Sequence, residues 1–163
     1  MYFQRSGLGV GVTPETQEHI TMWNRTGSTL SRGAIVQIDE AKTQSESTST
    51  SPGVDGTMYG NVIVPVTGDP LRVGTFMCYE GPSTCADNTK GLFTLVGVVD
   101  CDIEDGAVAL VDVLTVQASL ELDVNGTRAG QKAVAKALAT RASGGVVVPC
   151  FFNGYGFASI ALA

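Results

Sequence analysis

Asn24 to Asp39 reads NRTGSTLSRGAIVQID. A turn at Thr26-Gly27-Ser28 and a second glycine, Gly33, lead into the alternation Ala34, Ile35, Val36, Gln37, Ile38. Turn signals bracketing short β-branched runs predict strand, turn, strand, and His19 to Trp23 (HITMW) is the strand that feeds this hairpin. The rest of the chain repeats the grammar. Asn61 to Thr67 (NVIVPVT) is a further apolar run, which Pro65 demotes to an edge or bulged strand. After the turn Gly68-Asp69-Pro70, LRVGTFMCYE is expected to be extended. Leu92 to Val99 (LFTLVGVV) is the clearest buried strand, short, apolar and β-branched. Ala107 to Glu121 is a long alternating stretch, and Asn125-Gly126 is a strong hairpin signal. VVVPCFF and the apolar end GFASIALA each follow a turn, the first at Ser143-Gly144-Gly145 and the second at Asn153-Gly154. The fold class is all-β. Gly130 to Ala142 (GQKAVAKALATRA) reads both ways. Its alanine, lysine and leucine content suits a helix. Its strict alternation puts Ala133, Ala135, Ala137 and Ala139 on one face, which suits a strand packed closely on its neighbours.

The 163 residues amount to one domain with a real core. Hydrophobic residues make up 44% and charged residues 16%, below the usual quarter, alongside 20 glycines. Such a chain has many tight turns and an apolar or hydroxylated surface, part of it covered by a partner. The net charge of −6 argues against a nucleic-acid partner, which needs a basic stripe. No apolar run approaches the roughly 18 residues that span a bilayer, so no membrane partner is expected. The first residues lack the continuous apolar core of a signal peptide, which points to a protein made and used in a cytoplasm.

Residues 1–18 read as an extended N-terminal arm. Gly7, Gly9 and Gly11 prevent a stable helix and Pro14 adds a break. Tyr2, Phe3, Leu8, Val10 and Val12 give that arm apolar content, either as a frayed terminus or as a segment laid on a neighbouring surface. Residues 19–163 are then a single domain, in which residues 43–52 (TQSESTSTSP) have no apolar side chain and form a flexible Ser/Thr loop.

No catalytic residues, cofactor site or metal site are expected. Cys101 and Cys150 sit in apolar strand-like runs, where cysteine acts as a small hydrophobe. Cys78 and Cys85 flank a turn, which leaves a bridge between them open beside free thiols, and no cysteine spacing matches zinc. In Asp100 to Gly106 (DCDIEDG), Asp100, Asp102 and Glu104 have the alternation of a calcium loop. Asp105 stands where that loop needs glycine and Val111 where it needs glutamate, so an ordinary acidic turn fits better. His19, the only histidine, has no sequence-proximal partner for base catalysis. Trp23, the only tryptophan, reads as a core or interface anchor.

The organising stretch resembles the capsid decoration (cement) proteins of tailed bacteriophages. The likeness is carried by Asn24, Thr26, Gly27, Thr29, Leu30, Gly33 and Val36, by Gly97-Val98-Val99 before the acidic turn, and by Thr127, Ala129, Gly130 and Gln131. It covers residues 20 to 162 or so. The resemblance implies a small β-barrel or β-tulip-like domain, not an enzyme, bound as a homotrimer to the major capsid protein on the outer surface of the virion. It would stabilise the expanded shell at capsomer joints, with Tyr2, Phe3, Arg5, Leu8, Val10, Val12 and Trp23 as candidate contacts. The alternative is a carbohydrate-binding β-module of a virion fibre or tail.

Overall fold

The structure, a computed structural model, describes residues 18–40, 60–124, 131–143 and 147–157. Among them lie nine strands and one helical turn. They are β1 Glu18–Asn24, β2 Ile35–Ile38, β3 Asn61–Ile63, α1 Pro70–Val73, β4 Phe76–Tyr79, β5 Lys90–Cys101, β6 Val113–Val116, β7 Leu122–Asp123, β8 Ala133–Ala137 and β9 Val148–Asn153. The expected all-β class is what the chain adopts.

The long strand β5 organises the molecule. Its first half pairs antiparallel with β1, from Trp23 opposite Lys90 to Glu18 opposite Val96. It also pairs with β4, where Cys78 lies opposite Thr94. Strand β4 continues to β2, β2 to β3, and β3 runs parallel to β1, which closes a five-stranded barrel. The second half of β5 pairs with β9, from Val96 opposite Asn153 to Cys101 opposite Val148. From β9 the sheet passes to β8, β6 and β7. It then returns to the continuation of β5 through a parallel bridge between Ile103 and Leu122. Two backbone bonds seal that second ring: Leu122 N–H to the Asp102 carbonyl at 2.9 Å, and Glu104 N–H to the Leu122 carbonyl at 3.0 Å. Gly97 marks the changeover along β5. Its φ of 141° lies outside the range that side-chain-bearing residues favour.

Each ring has its own core, and β2 and β4 form the wall between them. Ile35, Phe76 and Cys78 point into the larger core with Cys101, Leu114, Val134, Cys150 and Phe152. Their chain neighbours Val36, Met77 and Tyr79 point the other way, onto Met22, Leu30, Val62, Phe93 and Leu95. All four residues of β4 are therefore buried, the pattern of a strand covered on both faces. Gly33 fixes this wall at its end. Its N–H donates to the Tyr79 carbonyl and its carbonyl accepts from Asp102 N–H. With φ at +93° and a virtual Cβ 2.8 Å from the Asp102 nitrogen, the position accepts only glycine without displacement.

Several sequence expectations are corrected here. Asn24 to Asp39 is not a hairpin, because β1 and β2 do not pair and β3 lies between them. The buried Asn24 amide diverts the chain: its Nδ2 donates to the carbonyls of Ser28 at 2.8 Å and Cys85 at 2.9 Å. LRVGTFMCYE is extended only in β4, since Pro70 starts the helical turn α1, which its fixed φ suits. Ala107 to Glu121 is not one strand, because a turn interrupts it before β6. Of the two readings open for Cys78 and Cys85, the free thiols are what the structure has: the two lie in different cores.

The ambiguous alanine-rich segment forms β8, with Ala135 and Ala137 fully buried in the larger core. The strand expected to be an edge or bulged strand because of Pro65 is neither: β3 stops at Ile63, before the proline, and pairs with β1 on one side and β2 on the other. Glu18, counted with the arm, pairs with Val96 in β1. The Ser/Thr loop, Asn125-Gly126 and the last six residues fall outside the described residues.

Candidate functional site

Strand alternation sets what the second ring shows to solvent. Val99, Cys101, Cys150, Phe152, Ala135, Ala137 and Leu114 fill its interior, and Val98, Phe151, Lys136 and Val113 alternate with them on the outer side. Cross-strand register then lines up Val98, Phe151, Lys136 and Val113 across β5, β9, β8 and β6. A second row follows on the same face: Pro149 opposite Asp100, then Leu138, then Val111. Here Leu138 N–H donates to the Pro149 carbonyl and Val111 N–H to the Ala137 carbonyl, both at 2.8 Å. Val98, Phe151, Val113, Leu138 and Val111 are all exposed. Phe157 folds back against Phe151, with ring centroids 6.0 Å apart and Lys136 Nζ 5.4 Å above the Phe157 ring. The result is a largely apolar sheet face, interrupted by Lys136 and bordered by the Asp100–Arg32 pair.

At one end of that face the chain makes the turn Ala109 to Asp112. Asp112 closes it, with Oδ2 accepting from Ala109 N–H at 2.7 Å and the backbone carbonyl accepting from Ala137 N–H at 2.9 Å. Leu110 and Val111 occupy the tip at 56% and 66% exposure. Val111 has φ of +65°, a conformation that β-branched residues rarely adopt. The long apolar alternation concealed this turn. Asp112, the one charge within it, was the available signal.

The base of the turn is tied to the acidic segment. Val108 and Arg141 form a backbone bridge, and Arg141 Nη2 donates to the carbonyls of Glu104 at 2.6 Å and Gly106 at 3.1 Å. The carboxylates of DCDIEDG part company. Asp100 pairs with Arg32 at 2.8 Å. The hydrogen bond that Glu104 makes with the buried Asp123 raises the Glu104 pKa, and burial adds to it. Asp102 is also raised, by burial and then by the charge of Glu121. Among the described residues no three acidic, histidine or cysteine side chains are grouped to hold a metal ion.

A polar cleft of about 360 Å³ lies where β1 leaves β5, lined by His19, Arg32, Glu80, Val98, Val99 and Asp100. A β-bulge between Glu18 and His19 sets the histidine there. His19 Nδ1 meets Glu80 Oε1 at 2.7 Å, and the other Glu80 oxygen accepts the Thr94 hydroxyl. These groups satisfy one another, and among the described residues lining the cleft none is a serine, threonine or cysteine. All four thiols are buried. Burial pushes Cys101 well up, and the hydrogen bond with Cys101, followed by burial, pushes Cys150 up.

Of the candidate contacts, Tyr2, Phe3, Arg5, Leu8, Val10 and Val12 lie outside the described residues. Trp23 is 7% exposed, with the Arg25 guanidinium 5.3 Å and Lys90 Nζ 5.6 Å from its ring. Sequence reading passed over the exposed face because its residues are scattered over four strands.

No protein-family model matches the sequence, and no curated protein matches it. Among solved structures, the head fiber gp8.5 N base of bacteriophage phi29 is similar in arrangement. Its TM-score is 0.49 at 9% identity, over 88% of this chain and 99% of that one.

Proposed function

We propose that this chain is a non-catalytic structural protein of a tailed-phage virion, seated on the outside of the expanded shell. The observation that carries the reading is the apolar outer face of the second ring, with Val98, Phe151, Leu138, Val111 and Val113 exposed together. A folded domain does not keep such a face in water without a use for it, and docking on another protein covers it. The chain's resemblance to cement proteins supplies the partner, the major capsid protein. It also supplies the site, a threefold position at a capsomer joint occupied by a homotrimer. The mechanism is mass action: a clamp that binds only the expanded lattice stabilises that state. The arm, through Tyr2, Phe3, Arg5, Leu8, Val10 and Val12, adds a second contact reaching across the joint.

Co-sedimentation tests this reading. Purified protein is mixed with empty heads of the encoding phage that lack it, in expanded and unexpanded form. It should pellet with expanded heads alone. Equal recovery with both forms, or with neither, overturns the proposal.

A further inference from the structure

We infer that the Ala109–Asp112 turn is an apolar finger, and that Leu110 and Val111 insert into a socket on the shell protein whose rim is basic. This rests on the capsid reading above and names the chemistry of the partner's surface.

Three observations lead there. The first is placement, since both side chains at the tip are largely exposed in a turn held at its base by Asp112 and by the Val108–Arg141 bridge. The finger is thus a fixed shape and not a loose loop, and a preformed shape loses less freedom on docking. The second is strain. Val111 occupies the left-handed region, where asparagine or glycine sits at lower cost. Among the described residues Val111 is 66% exposed. The third is continuity, because Val111 N–H bonds the carbonyl of Ala137, the residue before the exposed Leu138, which sets the turn at the border of the apolar face.

Charge selects the occupant. The acidic segment tied to the finger's base carries Asp102, Glu104 and the exposed Asp105, with Glu121 beside Asp102. The whole chain carries −6. A second copy meeting this finger with its own finger would bring like charges together, which is disfavoured, whereas a basic rim is attracted and steered. The surface this charge favours is an apolar depression flanked by lysine or arginine, supplied by the shell protein.

The test compares wild type with Val111→Asn and Leu110→Ser for binding to expanded empty heads. Thermal unfolding of the free proteins is measured in parallel. Both variants should bind at least about tenfold more weakly, as expected for residues at a buried centre. Val111→Asn should melt no lower than wild type, because asparagine tolerates that backbone. Wild-type affinity should fall as sodium chloride is raised. If the heads bind wild type and both variants alike, the finger is refuted and the capsid reading stands. If wild type does not bind, both fall. Salt-independent binding refutes the basic rim. If the variants instead lower the native mass of the free protein, the finger joins copies of this chain, and the assignment to the shell is wrong.

Discussion

Phe76→Ala tests whether the two rings stand or fall together. Phe76 is fully buried in the larger core, and its N–H donates to the Gly154 carbonyl at 3.0 Å. Its ring lies 5.8 Å from Lys132 Nζ, and that ammonium is anchored on the Gly74 carbonyl at 2.6 Å. Truncating such a phenylalanine removes its transfer energy and leaves a cavity, about 3–5 kcal/mol in all. Total stabilities run about 5–15 kcal/mol, so the loss is severe without abolishing the fold. At about 2–4 °C per kcal/mol for a chain of this size, Tm should drop about 6–20 °C. The assay follows the same melt by far-ultraviolet circular dichroism and by tryptophan emission. Trp23 sits on β1 in the five-stranded barrel, whereas the cavity opens on the far side of β4. Because β4 and β5 serve both rings, both signals should shift by the same amount in one transition. A Trp23 transition left at its wild-type temperature, with dichroism split in two, would refute the shared wall.

Two further predictions concern ionisation and thiols. The proton on Glu104 is held more tightly in the folded chain than in the unfolded one. The stability it contributes is therefore full below the ordinary glutamate value of about 4.3 and is lost as pH rises through the raised folded value. Glu104→Gln, neutral at every pH, should gain on wild type as pH rises from acid to neutral in denaturant titrations; parallel pH profiles would contradict the shared proton. All four cysteines are free and buried, so a colorimetric thiol reagent should find none in the native protein and four after denaturation. Fewer than four in the denatured chain would reveal a disulfide.

Much of the fold was legible where one face of a strand meets a core. HITMW, the start of NVIVPVT, LFTLVGVV and VVVPCFF all contain strands at the expected places, because β-branched alternation reports burial directly. The alanine face of β8 was readable for the same reason, since close strand packing needs small side chains. Pairing was not legible. Asn24 to Asp39 carries ordinary hairpin signals, yet Asn24 spends its amide on Cys85, sixty-one positions away, and no local pattern announces that bond. Nor does periodicity mark Ile35 and Val36 as members of opposite cores, because a strand buried on both faces looks like any apolar run. The docking face is a product of register. Val98, Phe151 and Val113 become neighbours only when β5, β9, β8 and β6 are aligned, and the turn that lifts Val111 was hidden inside an unbroken apolar alternation.

The most direct test of the central claim is an electron cryomicroscopy map of expanded heads to which the protein has been added back. The account predicts density on the outer surface at capsomer joints, with the second ring turned inward. Val98, Phe151, Leu138 and Val111 should lie against the shell. Density that leaves this face open to solvent, or decorated particles with no density at the joints, would contradict it.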